Sequence, residues 1–164
     1  MPGKAPIEIK ITEEDGAKLH ETAVKLKKLG DGKTIPKEFR KALRVSALPL
    51  VAKTRTAAMD LPSKNKSQSH LRQRIAASVG VKIGTGHDPM MAIVIRKARL
   101  GEQARLPKLM NKGNWNHPVF GDTNTWEPEA SRRGWFDNVM IEGTPFIQAA
   151  LDETVRDFER RFNL

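Results

Sequence analysis

Between Pro36 and Asp60 the apolar positions Phe39, Leu43, Ala47, Leu50 and Ala57, with Leu61 just beyond, recur at steps of three, four and seven. That spacing puts them on one stripe of an α-helix, with Lys37, Arg40, Lys41 and Arg44 largely off it. Pro36 suits a first helical turn, and Thr34 before it suits a cap. Pro49 falls inside the pattern, where a proline removes a backbone hydrogen bond at a cost of roughly 3 kcal/mol, so a kink is expected between Val45 and Pro49. At about 1.5 Å per residue such a helix would be close to 40 Å long.

On the N-terminal side, Ile7–Ile11 alternates as IEIKI, making residues 1–12 an edge strand or a mobile arm. Thr12 and Asp15 form a capping-box pattern ahead of a helix over Glu13–Leu29, whose stripe is Leu19, Ala23, Leu26 and Leu29 and which Gly30-Asp31-Gly32 ends. After Leu61, residues 62–70 are polar and basic and predict a mobile loop. Leu71–Ser78 follows as two helical turns with Arg72 and Arg74 exposed. Val79–Thr85 and Met91–Lys97 have strand character on either side of Gly86-His87-Asp88-Pro89, which predicts a hairpin. Over 98–126 the periodicity dissolves into an irregular, aromatic-rich segment, with a helical turn near Leu106–Met110 and a strand around Val119 to complete the sheet. Gly143-Thr144-Pro145 opens a final helix, capped by Thr144, with Ile147, Leu151, Val155, Phe158 and Phe162 on one side. The expected fold is α+β in a single domain, 1–164: a long bent central helix packed on a small antiparallel sheet, with flanking N- and C-terminal helices.

Charge changes this picture by its distribution. The chain carries +10 overall. Lys and Arg stand against Asp and Glu 13 to 8 over residues 1–60, 11 to 2 over 61–113 and 5 to 9 over 114–164. A basic middle with an acidic end suits a polyanion, or head-to-tail contact between copies in which the two signs meet; a solvated basic surface is the plainer reading. Cysteine is absent, which excludes disulfides and thiolate chemistry. Met1–Pro6 lacks the apolar run of a signal peptide, and no stretch reaches membrane-spanning length.

Little in the sequence points to catalysis. His20, His70, His87 and His117 lack metal-ligand spacing, and Gly80, Gly84 and Gly86 match neither a dinucleotide fingerprint nor a phosphate loop. An Asp122–His117 acid–base pair would have no nucleophile motif beside it. No cofactor is expected. The ion-pair pattern of the last helix is that of a surface, and its acidic first half would repel anionic lipid, so no membrane contact is expected. Trp115, Phe120, Trp126, Trp135 and Phe136 crowd into 22 residues. Such aromatics anchor a loop to its own core, fill a partner's pocket, or stack on single-stranded bases; the absence of Lys and Arg from 114–131 weighs against the third use.

HPVFG at 117–121, Trp126, GWFDN at 134–138 and TPFIQAALDE at 144–153, in that order, resemble the tail-component family of long-tailed siphophages, the tail completion or head–tail joining proteins of the neck. RKARLGEQARLPKLMNKGNW, 96–115, resembles its actinobacteriophage branch, and Arg40–Asp60 looks like the family's central helix. Many relatives place a Pro-x-Asp-Thr-Gly turn and a Leu-Arg-x-Ser-Ile strand after that helix, where this chain has Pro62 and SKNKSQSHLRQRI. By that comparison Leu71–Ser78 would be strand. The resemblance implies a non-enzymatic virion protein made in the host cytoplasm. It would form a ring, commonly of six subunits, between the head connector and the tail tube. Its neighbours would be the head–tail stopper and tail terminator, and genomic double-stranded DNA would pass through with contacts that ignore sequence. Under it, Lys64, Lys66, Arg72 and Arg74 face DNA, while Trp115, His117, Pro118, Phe120, Trp126, Trp135 and Phe136 meet the next subunit. The alternative is a small basic nucleic-acid-binding protein acting outside a ring.

Overall fold

The computed structural model describes residues 12–62, 70–119 and 122–164. Helix and strand are mixed, as in the α+β class. The order is α1 (Glu13–Lys27), α2 (Thr34–Ser46), α3 (Leu48–Met59), α4 (Leu71–Ser78), β1 (Val79–Gly84), β2 (Met90–Ile95), two short 3-10 turns (Lys97–Arg99 and Gly101–Arg105), α5 (Leu106–Lys112), β3 (Asn114–Val119), β4 (Asp122–Ala130) and α6 (Trp135–Phe162). The arm at 1–11 and most of the loop at 62–70 lie outside the described residues.

The described residues fall into two compact units. One comprises 53–62, 70–79, 95–119 and 122–141; the other comprises 12–52, 80–94 and 142–164. The chain crosses between them at 52/53, 79/80, 94/95 and 141/142, so several elements contribute to both.

In the unit containing the N-terminal helices, the Thr12 hydroxyl caps α1 by accepting from the Asp15 backbone N–H at 3.1 Å and donating to its carboxylate at 2.7 Å. The start of α2 differs from expectation: Asp31, not Thr34, provides the cap. Its carboxylate accepts from the Lys33 and Thr34 backbone N–H groups at 2.8 and 2.7 Å and from the Thr34 hydroxyl at 2.7 Å. A carboxylate outcompetes a hydroxyl here because it is ionised and sits at the positive end of the helix dipole. The same three bonds, led by the one from the Thr34 hydroxyl, hold the Asp31 carboxyl down from 3.8 to about 2. A depressed carboxyl stabilises the fold above its unfolded value and loses that contribution as pH falls through the folded one. The Asp31 side-chain carbon, followed by NMR, should therefore titrate near 2, with the associated stability fading between 3.8 and about 2. A midpoint near 3.8 would mean the cap does not form.

The single long helix expected over 36–60 is two. α2 ends at Ser46 and α3 begins at Leu48. Pro49 is consequently the second residue of α3, where its missing N–H has no intrahelical carbonyl to meet and costs nothing. The interruption also shifts the phase of the apolar stripe: Val51, Thr54 and Ala58 are buried, whereas Ala57 is only half-buried.

β1 and β2 pair as a two-stranded sheet. Their connection, 85–89, is far too short for a parallel crossover, so they form the expected hairpin. Met91, Ala92, Ile93 and Val94 are all buried, the continuous pattern of a strand covered on both faces. Around them the core of this unit includes Leu19, Leu26, Phe39, Leu43, Leu50, Ile147, Leu151 and Phe158. Gly143 is required by packing: a Cβ there would lie 2.7 Å from Leu50 Cδ2.

α6 departs most from expectation. It starts at Trp135 rather than Thr144, and Pro145 lies inside it. Its start is set from outside, because Asn111 on α5 is buried and its side-chain oxygen accepts from the Phe136 and Asp137 backbone N–H groups at 2.9 and 3.2 Å. Buried positions Trp135, Phe136, Val139, Met140, Gly143, Ile147, Ala150, Leu151, Val155 and Phe158 then continue at helical spacing through the proline, which points to solvent. That burial offsets one lost hydrogen bond.

The segment 98–126, expected to be irregular, is mostly regular, and the strand at Val119 does not extend the first sheet. β3 and β4 form their own antiparallel pair, with Asn114 opposite Ala130, Asn116 opposite Pro128, His117 opposite Glu127 and Pro118 opposite Trp126. Pairing with the next strand in sequence closes the shorter loop and costs less chain entropy.

Candidate interaction surfaces

Among the described residues four arginines of the other unit are tied to backbone carbonyls, and three of them, Arg72, Arg74 and Arg99, belong to the basic middle. Arg55 donates to Val79 O at 3.0 Å, and Arg99 donates to Ala77 O at 3.1 Å. Arg72 donates to Met59 O and Leu61 O at 3.1 and 3.2 Å, beside the carbonyl-rich C-terminal end of α3. Arg74 donates to Leu100 O at 3.1 Å and Gln103 Oε1 at 2.7 Å. Leu71–Ser78 is thus helix, with its arginines bracing the chain before and after it. Guanidinium is suited to this use, since it offers five donors in a rigid fork. Arg72 and Arg74, expected to face DNA, are committed to these carbonyls; Lys64 and Lys66 lie outside the described residues.

The aromatic group divides. Trp135 is 2 % exposed and Phe136 fully buried, with ring centroids 5.6 Å apart in an edge-to-face arrangement, and Trp135 Nε1–H donates to Pro107 O at 3.3 Å. These two, expected at a subunit contact, are core residues of their own unit. They open α6, and the helix that Asn111 caps turns them inward. Trp126, by contrast, is 55 % exposed on β4. Trp115, His117 and Pro118 stand on β3 at register positions opposite Glu129, Glu127 and Trp126, while Phe120 lies outside the described residues.

Strand alternation places Asn114 and Asn116 with Trp126, Pro128 and Ala130 on one face of the hairpin. Asn114, Asn116, Trp126, Pro128 and Ala130 are all exposed, and an open depression is lined by Asn114, Asn116, Pro128, Ala130 and Glu129. This face carries no cation. Over 114–131 the charged residues are Asp122, Glu127 and Glu129 alone. Pro118 and Pro128 deny the hairpin edges a full set of donors, which disfavours strand addition from another chain and leaves the face as the usable surface.

No protein-family model, curated protein or solved structure matches this chain.

α2 presents the opposite charge. Lys37, Arg40, Lys41 and Arg44 recur at helical spacing; three are exposed and Arg40 is half-buried. Glu38 points away from them to Arg161, 3.5 Å distant. The basic stripe stood out in sequence only as the remainder of the apolar one. Among the described residues no helix is long and apolar enough to cross a membrane, and no three His, Asp or Glu side chains gather as around a metal.

Proposed function

We propose that the protein is a structural, non-catalytic component of a siphophage neck, resident in the virion. In this reading copies close into a ring, six being the family's common number, between the head connector and the tail tube. The head–tail stopper and tail terminator flank it, and double-stranded DNA passes through. The observation that carries the reading is an acidic hairpin bearing an exposed tryptophan on a chain that is otherwise strongly basic. Rings close by heterologous contact, one patch of a subunit against a different patch of the next, and opposite signs on the two patches steer and register that contact. The sequence resemblance supplies the neck as the setting. The family arrangement, a bent central helix against a small antiparallel sheet with flanking terminal helices, belongs to the same proposal, with α2 and α3 as the two halves of the bent helix.

Sedimentation over a range of micromolar concentrations tests it. The wild type should form a closed oligomer. Trp126→Ser should weaken association by about 30-fold, the effect of truncating an interface hot spot worth roughly 2 kcal/mol. A wild type that stays monomeric while binding duplex DNA tightly would favour the rival, a basic nucleic-acid-binding protein acting alone.

A further inference from the structure

We infer that the exposed basic stripe of α2 is the surface that meets duplex DNA, through the phosphate backbone and without reading sequence. The inference deepens the neck reading and rests on it for the partner. It replaces the arginines of α4, whose guanidinium groups are tied to carbonyls, with a set that has no such tie. Among the described residues no carboxylate pairs with Lys37, Arg40, Lys41 or Arg44. The two acidic side chains closest in sequence are otherwise occupied, Asp31 at the helix cap and Glu38 with Arg161. Cations at positions i, i+3, i+4 and i+7 occupy one face about 10 Å long, set by the helical rise, so they reach consecutive phosphates as a rigid group.

Three other partners for a basic amphipathic helix fail on the structure. A membrane surface, or a protein that grips such helices, takes the apolar face. Here that face is spent: Phe39 and Leu43 are fully buried, and the Phe39 ring lies 5.0 Å from that of Phe158. Single-stranded nucleic acid would call for aromatics among the cations, and the exposed side of α2 has none.

The test is the salt dependence of binding to a mixed-sequence DNA duplex by the full chain. The variant is Lys37→Gln, Lys41→Gln, Arg44→Gln, with half-buried Arg40 retained to protect the fold. Each phosphate neutralised contributes about −0.9 to the slope of log K against log salt. The triple variant should therefore flatten the slope by about 2.7, and a fourfold rise in salt should weaken the wild type about 40-fold more than the variant. Lys108→Gln, an exposed lysine of the other unit, should shift it far less. Thermal unfolding and sedimentation of the triple variant should match the wild type. An unchanged slope in a folded variant would overturn the stripe while leaving the ring and its DNA passage standing. Loss of self-association with the slope intact would assign α2 to the neighbouring copy instead. No duplex binding by the wild type at 50 mM salt would remove both the stripe and the DNA contact, and sedimentation would still decide the ring. Binding confined to phosphatidylserine vesicles, lost in the variant, would make the partner a lipid surface and overturn the inference.

Discussion

Replacing Phe158 by alanine should lower the unfolding free energy by about 3–5 kcal/mol, the range for deleting a buried aromatic side chain. Phe158 is 4 % exposed and its ring makes a tilted contact with Phe39. On its other side it approaches Phe162 at 6.0 Å, and the Arg161 guanidinium lies over both rings, at 5.9 and 5.1 Å. Truncation removes the residue on which α2 and the end of α6 meet, and it strips Phe39 of its aromatic neighbour. Phe158→Leu keeps most of the volume and should lose far less. Urea unfolding followed by circular dichroism checks both; a loss below about 1 kcal/mol for the alanine variant would mean that the pocket collapses and that this cluster does not hold the unit together.

Much of that cluster is legible in the sequence. Ile147, Leu151, Val155 and Phe158 recur at helical spacing and are buried, and Phe39 and Leu43 do the same on α2. What pattern alone misplaces are the ends. Pro145 carries the signature of a first helical turn, and nothing local reveals that Asn111, 25 residues upstream of Phe136, caps the helix ten residues earlier. The hydrogen bonds of Arg72 and Arg74 are equally hidden from pattern. Their commitment to Met59, Leu61 and Leu100 carbonyls depends on chain segments 11 to 26 residues away, which periodicity does not see. The stripe beyond Ala47 slips for a related reason: a helix that stops and restarts resets its phase, so Thr54 and Ala58 take the places expected of Ala57.

Trp135→Ala should be comparably damaging to the other unit, again by about 3–5 kcal/mol. The indole is buried against Phe136, and its one N–H reaches the Pro107 carbonyl. Trp135→Phe separates the two contributions, since it keeps an aromatic in the site while leaving that carbonyl without its donor. The cost of a lost bond in a buried setting is about 1–3 kcal/mol. If both variants lose the same amount, the bond rather than the ring dominates. If neither shifts the urea midpoint, Trp135 is not packed as described, and the subunit contact first expected of it regains its standing. Trp126→Ser, acting on an exposed ring, should leave the same midpoint nearly unchanged.

The interleaving of the two units bears on the order in which the protein comes into being. The Thr22 hydroxyl donates to Glu159 across 137 residues, and the Phe39 ring packs at a tilt against one almost as remote. On a ribosome, the nascent helices α1 and α2 therefore wait with an apolar flank uncovered until the second half of α6 has emerged, and closing so long a loop makes that docking event a slow one.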